Sequence, residues 1–226
     1  MAKFSVIIST LNEENYIGKT IGNLLSFKKK PEIIIIDGGS NDETINIVKK
    51  FNLKIIHSKK GRGEQLNKGG KNANGEILVF LHADTRLPEN AFELIEKYFE
   101  NPETKIALFK LGFDSDNILL NFYTRFTSVD SVFTSFGDQA IIIRKEFYYK
   151  LGGFPDQPIF EDVELLRKAR KITRVIKLPA AVITSARRFN KQGIIKTQLK
   201  NVYYFALYFM GVKPDKLYKQ YFKLEK

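Results

Sequence analysis

Cysteine is absent from all 226 residues, so no disulfide framework, cysteine metal site or cysteine nucleophile is available, and a reducing compartment fits. No run reaches the roughly 18 apolar residues that a membrane-crossing helix needs, so the chain reads as cytoplasmic, either free or peripheral at the inner face of the membrane. No secretory signal is read at the start, because residues 4–9 form a short strand-like run followed by acids. The Walker pattern does not occur. Gly61 and Gly63 make only part of a dinucleotide fingerprint, without its third glycine and after the third strand instead of the first, which speaks against a nicotinamide enzyme. Acids are the scarcer charge, 25 against 37 Lys+Arg, for a formal net charge of +12. That excess favours phosphates, nucleic acid or an anionic bilayer, although a lysine-rich composition also arises without any partner, and no specific nucleic-acid motif accompanies it.

In bulk the chain is ordinary, with 43% hydrophobic and 27% charged residues, and its length suits one domain with a substantial core. A β-branched run over 4–10 reads as a first strand, after which Ile17, Ile21, Leu24 and Leu25 recur at helical spacing. Glu13 and Glu14 fall where a first helical turn favours acids. Residues 32–37 form a second strand ending in Asp37. Gly38 and Gly39 free the turn, and Ser40 with Glu43 matches a capping box for a helix with Ile45, Val48 and Phe51 on its core face. A third strand over 53–57, a basic glycine loop over 58–63 and a polar helix over 64–74 follow. This alternation predicts a doubly wound, parallel α/β sheet.

The stretch 75–86 organises the rest. Ile77 to Leu81 is continuously apolar, as befits a central strand covered on both faces, and it ends in His82, Asp84, Thr85 and Arg86. Polar groups there lie at the carboxyl end of the strand, where open α/β sheets bind ligands. Thr10 to Glu13 and Asp37 share that edge. One such acid is often a helix cap; several beside a basic glycine loop look more like a nucleotide pocket.

Val6-Ile-Ile-Ser-Thr-Leu-Asn-Glu-Glu14, Ile36-Asp-Gly-Gly-Ser-Asn-Asp42 and Leu81-His-Ala-Asp84, followed by Gly152-Gly-Phe154 and Glu161-Asp162, resemble the family 2 glycosyltransferases of the GT-A fold over about residues 4–188. The resemblance implies a GT-A-like, Rossmann-type, mostly parallel sheet flanked by helices over residues 1–190, with a helical extension over 191–226. It implies that Thr10, Leu11, Asn12 and Glu14 line the nucleotide end, that Asp37 with Gly39 meets the base or ribose, and that Arg62 lies near the nucleotide. Asp84 stands where the family keeps the last acid of its Asp-x-Asp motif, and so would hold a divalent cation, Mg2+ or Mn2+, against the donor's diphosphate. His82 departs from that motif. It either ligates Mn2+ through a neutral ring nitrogen, hydrogen-bonds ribose or phosphate, or merely ends the strand. Asp162 occupies the catalytic-base position of inverting members, with Glu161 orienting the acceptor or supporting it, although acids at a helix start also suit the helix dipole alone.

Further along, Pro88 suits a helix start ahead of Phe92, Ile95, Tyr98 and Phe99; strands are expected over 105–113 and 137–144, a short helix over 145–151, and one or two strands around Pro179. Residues 114–136 read either as an aromatic acceptor wall or as an amphipathic helix. Asp138, Gln139 and Gly153 are candidates for sugar or acceptor contact, and Arg187 or Arg188 for gripping diphosphate, against a solvated surface pair as the plainer reading. The aromatic, lysine-flanked helix over 194–212 would dock on a membrane interface, on a second copy in a homodimer or on its own core.

The sequence therefore points to an inverting glycosyltransferase that uses a nucleoside-diphosphate sugar and a hydroxyl acceptor, small or lipid-linked. Rival readings are a catalytically degenerate sugar-nucleotide binder or membrane-docking protein, motivated by His82, and a nucleotidyltransferase, which lacks its glycine-rich loop after the first strand.

Overall fold

The computed structural model describes residues 3–223. Residues 1–2 of the expected 1–190 unit and 224–226 of the expected extension lie outside the described residues. In chain order the first half runs β1 (Phe4–Thr10), α1 (Ile17–Ser26), β2 (Glu32–Asp37), α2 (Thr44–Lys49), β3 (Lys54–His57), α3 (Arg62–Asn72), β4 (Ile77–His82) and β5 (Thr85–Arg86). The second half runs α4 (Ala91–Phe99), β6 (Ile106–Phe113), α5 (Ile118–Arg125), β7 (Ile141–Arg144), α6 (Lys145–Lys150), α7 (Glu161–Arg170), β8 (Ile176–Thr184), α8 (Arg187–Gln192), α9 (Ile194–Phe209) and α10 (Pro214–Lys223).

One eight-stranded sheet has the order β3-β2-β1-β4-β7-β6-β8-β5. Its first four strands are parallel; β7 then runs antiparallel to both β4 and β6, and β5 antiparallel to β8. The expected α/β sheet is present, parallel in its first half and mixed beyond β4. The period of two explains why these strands read as unbroken apolar runs. Val6, Ile8, Ile33, Ile35, Val79 and Leu81 bury into a core on one face of the sheet, while Ile7, Ile34, Ile36, Leu78 and Phe80 bury into a second core on the other. Each such side chain contributes about 1.5–3 kcal/mol on leaving water. A third, small cluster joins Tyr204 of α9 to Leu217 and Tyr221 of α10, with Ile159 and Phe160 packed against it.

Two local expectations are corrected. Ser40 and Glu43 form no capping box: the Ser40 hydroxyl donates to Asp37, Asp42 Oδ1 accepts from the Thr44 N–H at 3.0 Å, and the helix starts at Thr44. Only Ile141–Arg144 of the expected 137–144 strand pairs, because Gly137–Gln139 form a 3-10 turn whose Gly137 N–H donates to Asp162. Of the one or two strands expected around Pro179, there is one, Ile176–Thr184. Proline cannot donate to the ladder, and the β6–β8 register shifts there, from Leu108 opposite Lys177 to Lys110 opposite Ala181.

Candidate active site

The carboxyl ends of β1 and β4 and the starts of α3 and α7 meet around one open cleft of about 1310 Å³. At the end of β4, the turn carrying Asp84 is held from two sides. Thr20 of α1 donates to the Ala83 carbonyl (2.8 Å), and Thr85 pairs through its hydroxyl with Thr184 of β8 (2.9 Å). Glu161 and Asp162 open α7, whose preceding residue Phe160 has φ 64°, a left-handed conformation costly for a bulky side chain. Asn12, at φ 57°, lies between the cleft residues Leu11 and Glu13. Gln65, buried on α3, donates to the carbonyls of Thr10 (3.0 Å) and Ile36 (2.8 Å), locking the ends of β1 and β2 together.

Arg62 is the cation at the centre of the acids. Desolvation at the cleft wall works against its charge although the side chain stays 49% exposed, and Glu161 first, then Asp162, Asp84 and Asp138 raise its pKa above the ordinary arginine value. Its Nε lies 3.5 Å from Glu161 Oε1. Burial pushes the Glu161 carboxyl upward against the pull of Arg62. Asp138 is raised to about 7, by burial first and then by the Asp162 charge. Both Asp162 oxygens accept backbone N–H bonds, Oδ2 from Gly137 (2.5 Å) and Oδ1 from Val163 (2.8 Å), so the carboxylate is held in one orientation. The His82 imidazole stays neutral, its pKa driven well below the ordinary value by burial and by Arg62 and Arg187.

Across the cleft, Arg187 grips Glu13 with both nitrogens at 2.7 Å, reaches Asp84 Oδ2 at 3.1 Å and stacks over the Tyr16 ring at 4.4 Å. Burial raises the Glu13 pKa despite that arginine. Three buried oxygens on the cleft, Thr10 Oγ1, Asp138 Oδ1 and Glu161 Oε1, have no hydrogen-bond partner among the described residues. These are the atoms a polar ligand would satisfy.

Of the residues singled out from sequence, Thr10, Leu11, Arg62, His82, Asp84, Asp138, Glu161, Asp162, Arg187 and Arg188 line the cleft. Six do not. Asp37 is 2% exposed and turns its carboxylate onto the Gly39 and Ser40 N–H groups. Gly39 takes the left-handed φ of that turn (94°). Asn12 Oδ1 accepts from the Asn41 N–H (2.9 Å) and Glu14 Oε2 from the Glu43 N–H (3.0 Å), so both secure the loop before α2. Gln139 is fully buried between the Thr134 carbonyl and Lys177. Gly153, at φ 71°, packs where a Cβ would stand 2.6 Å from Asn67 Oδ1. Sequence reasoning put Glu13 at the strand edge without a role in the site, passed over Gln65 and did not foresee that Phe160 and α9 line the cleft. The position of Glu13 beside Asn12 after β1 was a usable signal; nothing local marks the others.

The donor set suits a hard divalent cation that takes only part of its shell from protein. Asp84 offers carboxylate oxygen and neutral His82 a ring nitrogen, and no group of three or more His, Cys, Asp or Glu able to hold a metal occurs among the described residues.

Comparison with known proteins bears on the family and the fold. The probable glycosyltransferase YdaM of Bacillus subtilis is 27% identical over 213 residues, 81% of this chain and 50% of YdaM. The poly(ribitol-phosphate) β-N-acetylglucosaminyltransferase TarS of Staphylococcus aureus is 29% identical over 121 residues, 49% of this chain and 21% of TarS. The chain thus spans half or less of the length of these relatives. Among solved structures, TarS 1–349 with UDP-GlcNAc superposes with a TM-score of 0.65 at 23% identity, covering 81% of this chain and 58% of that one. The mannosyltransferase PcManGT of Pyrobaculum calidifontis, in complex with GDP-Man and Mn2+, gives 0.68 at 20% identity, covering 99% and 69%. At such identities the likeness establishes the fold, which is GT-A. Residues 5–159, more than half of the chain, match glycosyl transferase family 2, and the chain belongs to that family.

Proposed function

We propose that this protein is an inverting glycosyltransferase that moves a sugar from a nucleoside-diphosphate sugar to a hydroxyl acceptor. The observation that carries the reading is the convergence of Asp84, Asp138, Glu161 and Asp162 around Arg62 in one cleft, with Arg187 opposite. Thr10, Leu11 and His82 line the nucleotide end, and Asp37, Gly39, Asn12 and Glu14 hold the loop that borders it. Arg62 and Arg187 face the diphosphate, where guanidinium groups match phosphate oxygens. A divalent cation, Mg2+ or Mn2+, when bound at Asp84 supplies Lewis-acid stabilisation of the charge developing on the leaving diphosphate.

Asp162 acts as general base. It takes the proton of the acceptor hydroxyl as that oxygen bonds to the anomeric carbon; the bond from that carbon to the diphosphate breaks, and its electron pair leaves with the nucleoside diphosphate. Attack opposite the leaving group inverts the anomeric centre. Glu161 supports the orientation of Asp162 and Arg62, and Asp138, holding a proton up to about pH 7, donates a hydrogen bond to a sugar hydroxyl.

Incubation with a panel of sugar nucleotides tests the reading: release of nucleoside diphosphate, by slow hydrolysis or by transfer, is expected, whereas binding without release would favour a catalytically degenerate binder. Asp162→Asn should lower the transfer rate by about 10²–10⁴-fold while nucleotide still raises the melting temperature. A parental rate in that variant removes Asp162 from the mechanism.

A further inference from the structure

Beyond the carboxylates the cleft changes character. Its far half is walled by Phe133, Phe136, Phe160 and the α9 ring Phe205, whose centroid lies 5.7–5.8 Å from each of the other three. At about 1310 Å³ the whole cleft exceeds the roughly 300–1,000 Å³ of a pocket for one small ligand, which leaves room for a second substrate. Polar groups on this side come from Arg188, Gln198, Asn201 and the tyrosines of α9 and α10, and Asn201 Oδ1 already accepts from the Tyr221 hydroxyl at 3.0 Å. A hydroxyl-rich body set against the four phenylalanine rings would leave its own polar groups unpaired there.

The apolar lining also runs outward. Phe133, Val202 and Phe209 belong to the cleft wall and yet are 71%, 65% and 47% exposed, and Met210 next to them is exposed too. Phe122 and Phe126, exposed and packed edge to face at 5.2 Å, form a second exposed strip along α5 and the turn after it. Exposed apolar strips of this kind mark an interaction surface. Its surroundings are basic: residues 191–222 carry six lysines against one acid, Asp215. An apolar channel that opens from catalytic carboxylates onto an exposed apolar rim with basic flanks matches an amphiphile standing in an anionic lipid surface.

We propose that the acceptor is a membrane lipid: its hydrocarbon chain occupies the aromatic half of the cleft, its hydroxyl meets Asp162, and α9 with the α5 strip seats on the anionic bilayer. This rests on the transferase reading, since it is the Asp162 end that makes the channel an acceptor site. In the transfer the acceptor oxygen bonds to the anomeric carbon, its proton passes to Asp162, and the nucleoside diphosphate departs with the electron pair of the broken bond.

The test uses the full chain and n-alkyl β-glucosides of increasing length, kept below their micelle concentrations, with glucose as control. Calorimetry should show binding that tightens by roughly fourfold per added methylene until the channel is filled, with a negative heat-capacity change. The longer glucosides should accelerate nucleoside-diphosphate release from a sugar nucleotide, and glucose should not. Phe205→Glu, checked for a cooperative melt, should weaken dodecyl glucoside at least tenfold; should it fail to fold, the chain-length series on the parental protein decides alone. Cosedimentation should be strong with vesicles containing anionic phospholipid, weak with neutral ones and lost at high salt. Equal binding of glucose and dodecyl glucoside overturns the lipid acceptor. Chain-length-dependent binding without recruitment to anionic vesicles overturns the membrane source, and concentration-dependent dimers that mask α9 assign the strip to a second copy. If no sugar nucleotide is turned over and no nucleoside diphosphate binds, the transferase reading itself has failed, a result separate from all of these.

Discussion

Arg62 faces more acids than it can neutralise, and the excess is stored as protons. Asp138 rises from an ordinary 3.8 to about 7 in the fold. Between those values the folded chain keeps a proton that the unfolded chain has released, so stability falls as pH rises through the window. Burial shifts Glu161 in the same direction. Asp138→Asn should therefore flatten the decline between pH 5 and pH 8 by about 1–2 kcal/mol, a figure reduced for the opening of this side chain onto the cleft, as read from urea unfolding at both pH values. Arg187 presents a different balance, since it holds Glu13 and Asp84 together across the site. Arg187→Ala should weaken nucleoside-diphosphate binding by about 1.5–3 kcal/mol, roughly ten- to a hundredfold, measured by calorimetry. An unchanged affinity would confine this arginine to a structural ion pair.

At the scale of elements, α3 matters most for the geometry of the cleft, because it carries Arg62 at its start and Gln65 one turn later. It lies unusually close to the sheet. A Cβ on Gly69 would stand 2.2 Å from Ile7 Cγ2 and 3.1 Å from Ile36 Cγ1, both in the core beneath it. Gly69→Ala should thus destabilise the protein by about 1–3 kcal/mol in denaturant unfolding, despite the better helix propensity of alanine by nearly 1 kcal/mol. Stabilisation by this variant would mean that α3 sits farther from β1 than described. The α9 helix is the second element that shapes the cleft. No helix among the described residues is long and apolar enough to cross a membrane, and α9 places Phe205 against three rings from two other segments instead.

For the whole molecule, donor binding links distant parts of the chain, from Thr10 to Arg187, so ligand should act on global stability. Nucleoside diphosphate at a hundred times its Kd adds about 2.7 kcal/mol, which for a chain of this size corresponds to about 5–10 °C in melting temperature. The shift should be largest with Mn2+ or Mg2+ present and should fall by half or more with EDTA or in Asp84→Asn. An identical shift with and without the cation would exclude Asp84 from metal binding.

The alternation of strands and helices, and the grouping of polar residues at strand ends, were determined by the sequence alone. Both follow from local periodicity: Ile77–His82 must be buried on both faces whatever surrounds it, and its polar end must then lie at the sheet edge. Asp84 was legible because it follows such an end, whereas Arg62 and Asp162, at the starts of α3 and α7, were legible through the family resemblance. Orientation was not legible. Asp37 and Asp84 both follow apolar strands, yet one carboxylate turns onto its own loop and the other into the cleft, a choice made by the N–H groups of Gly39 and Ser40 in one case and by the reach of Arg187 in the other. The antiparallel insertion of β7 between β4 and β6, the pairing of Glu13 with a residue 174 positions away, and the aromatic wall supplied by α9 belong to the tertiary structure. They depend on which distant surfaces bury the most apolar area and satisfy the most charge together, and no short stretch of chain encodes that sum.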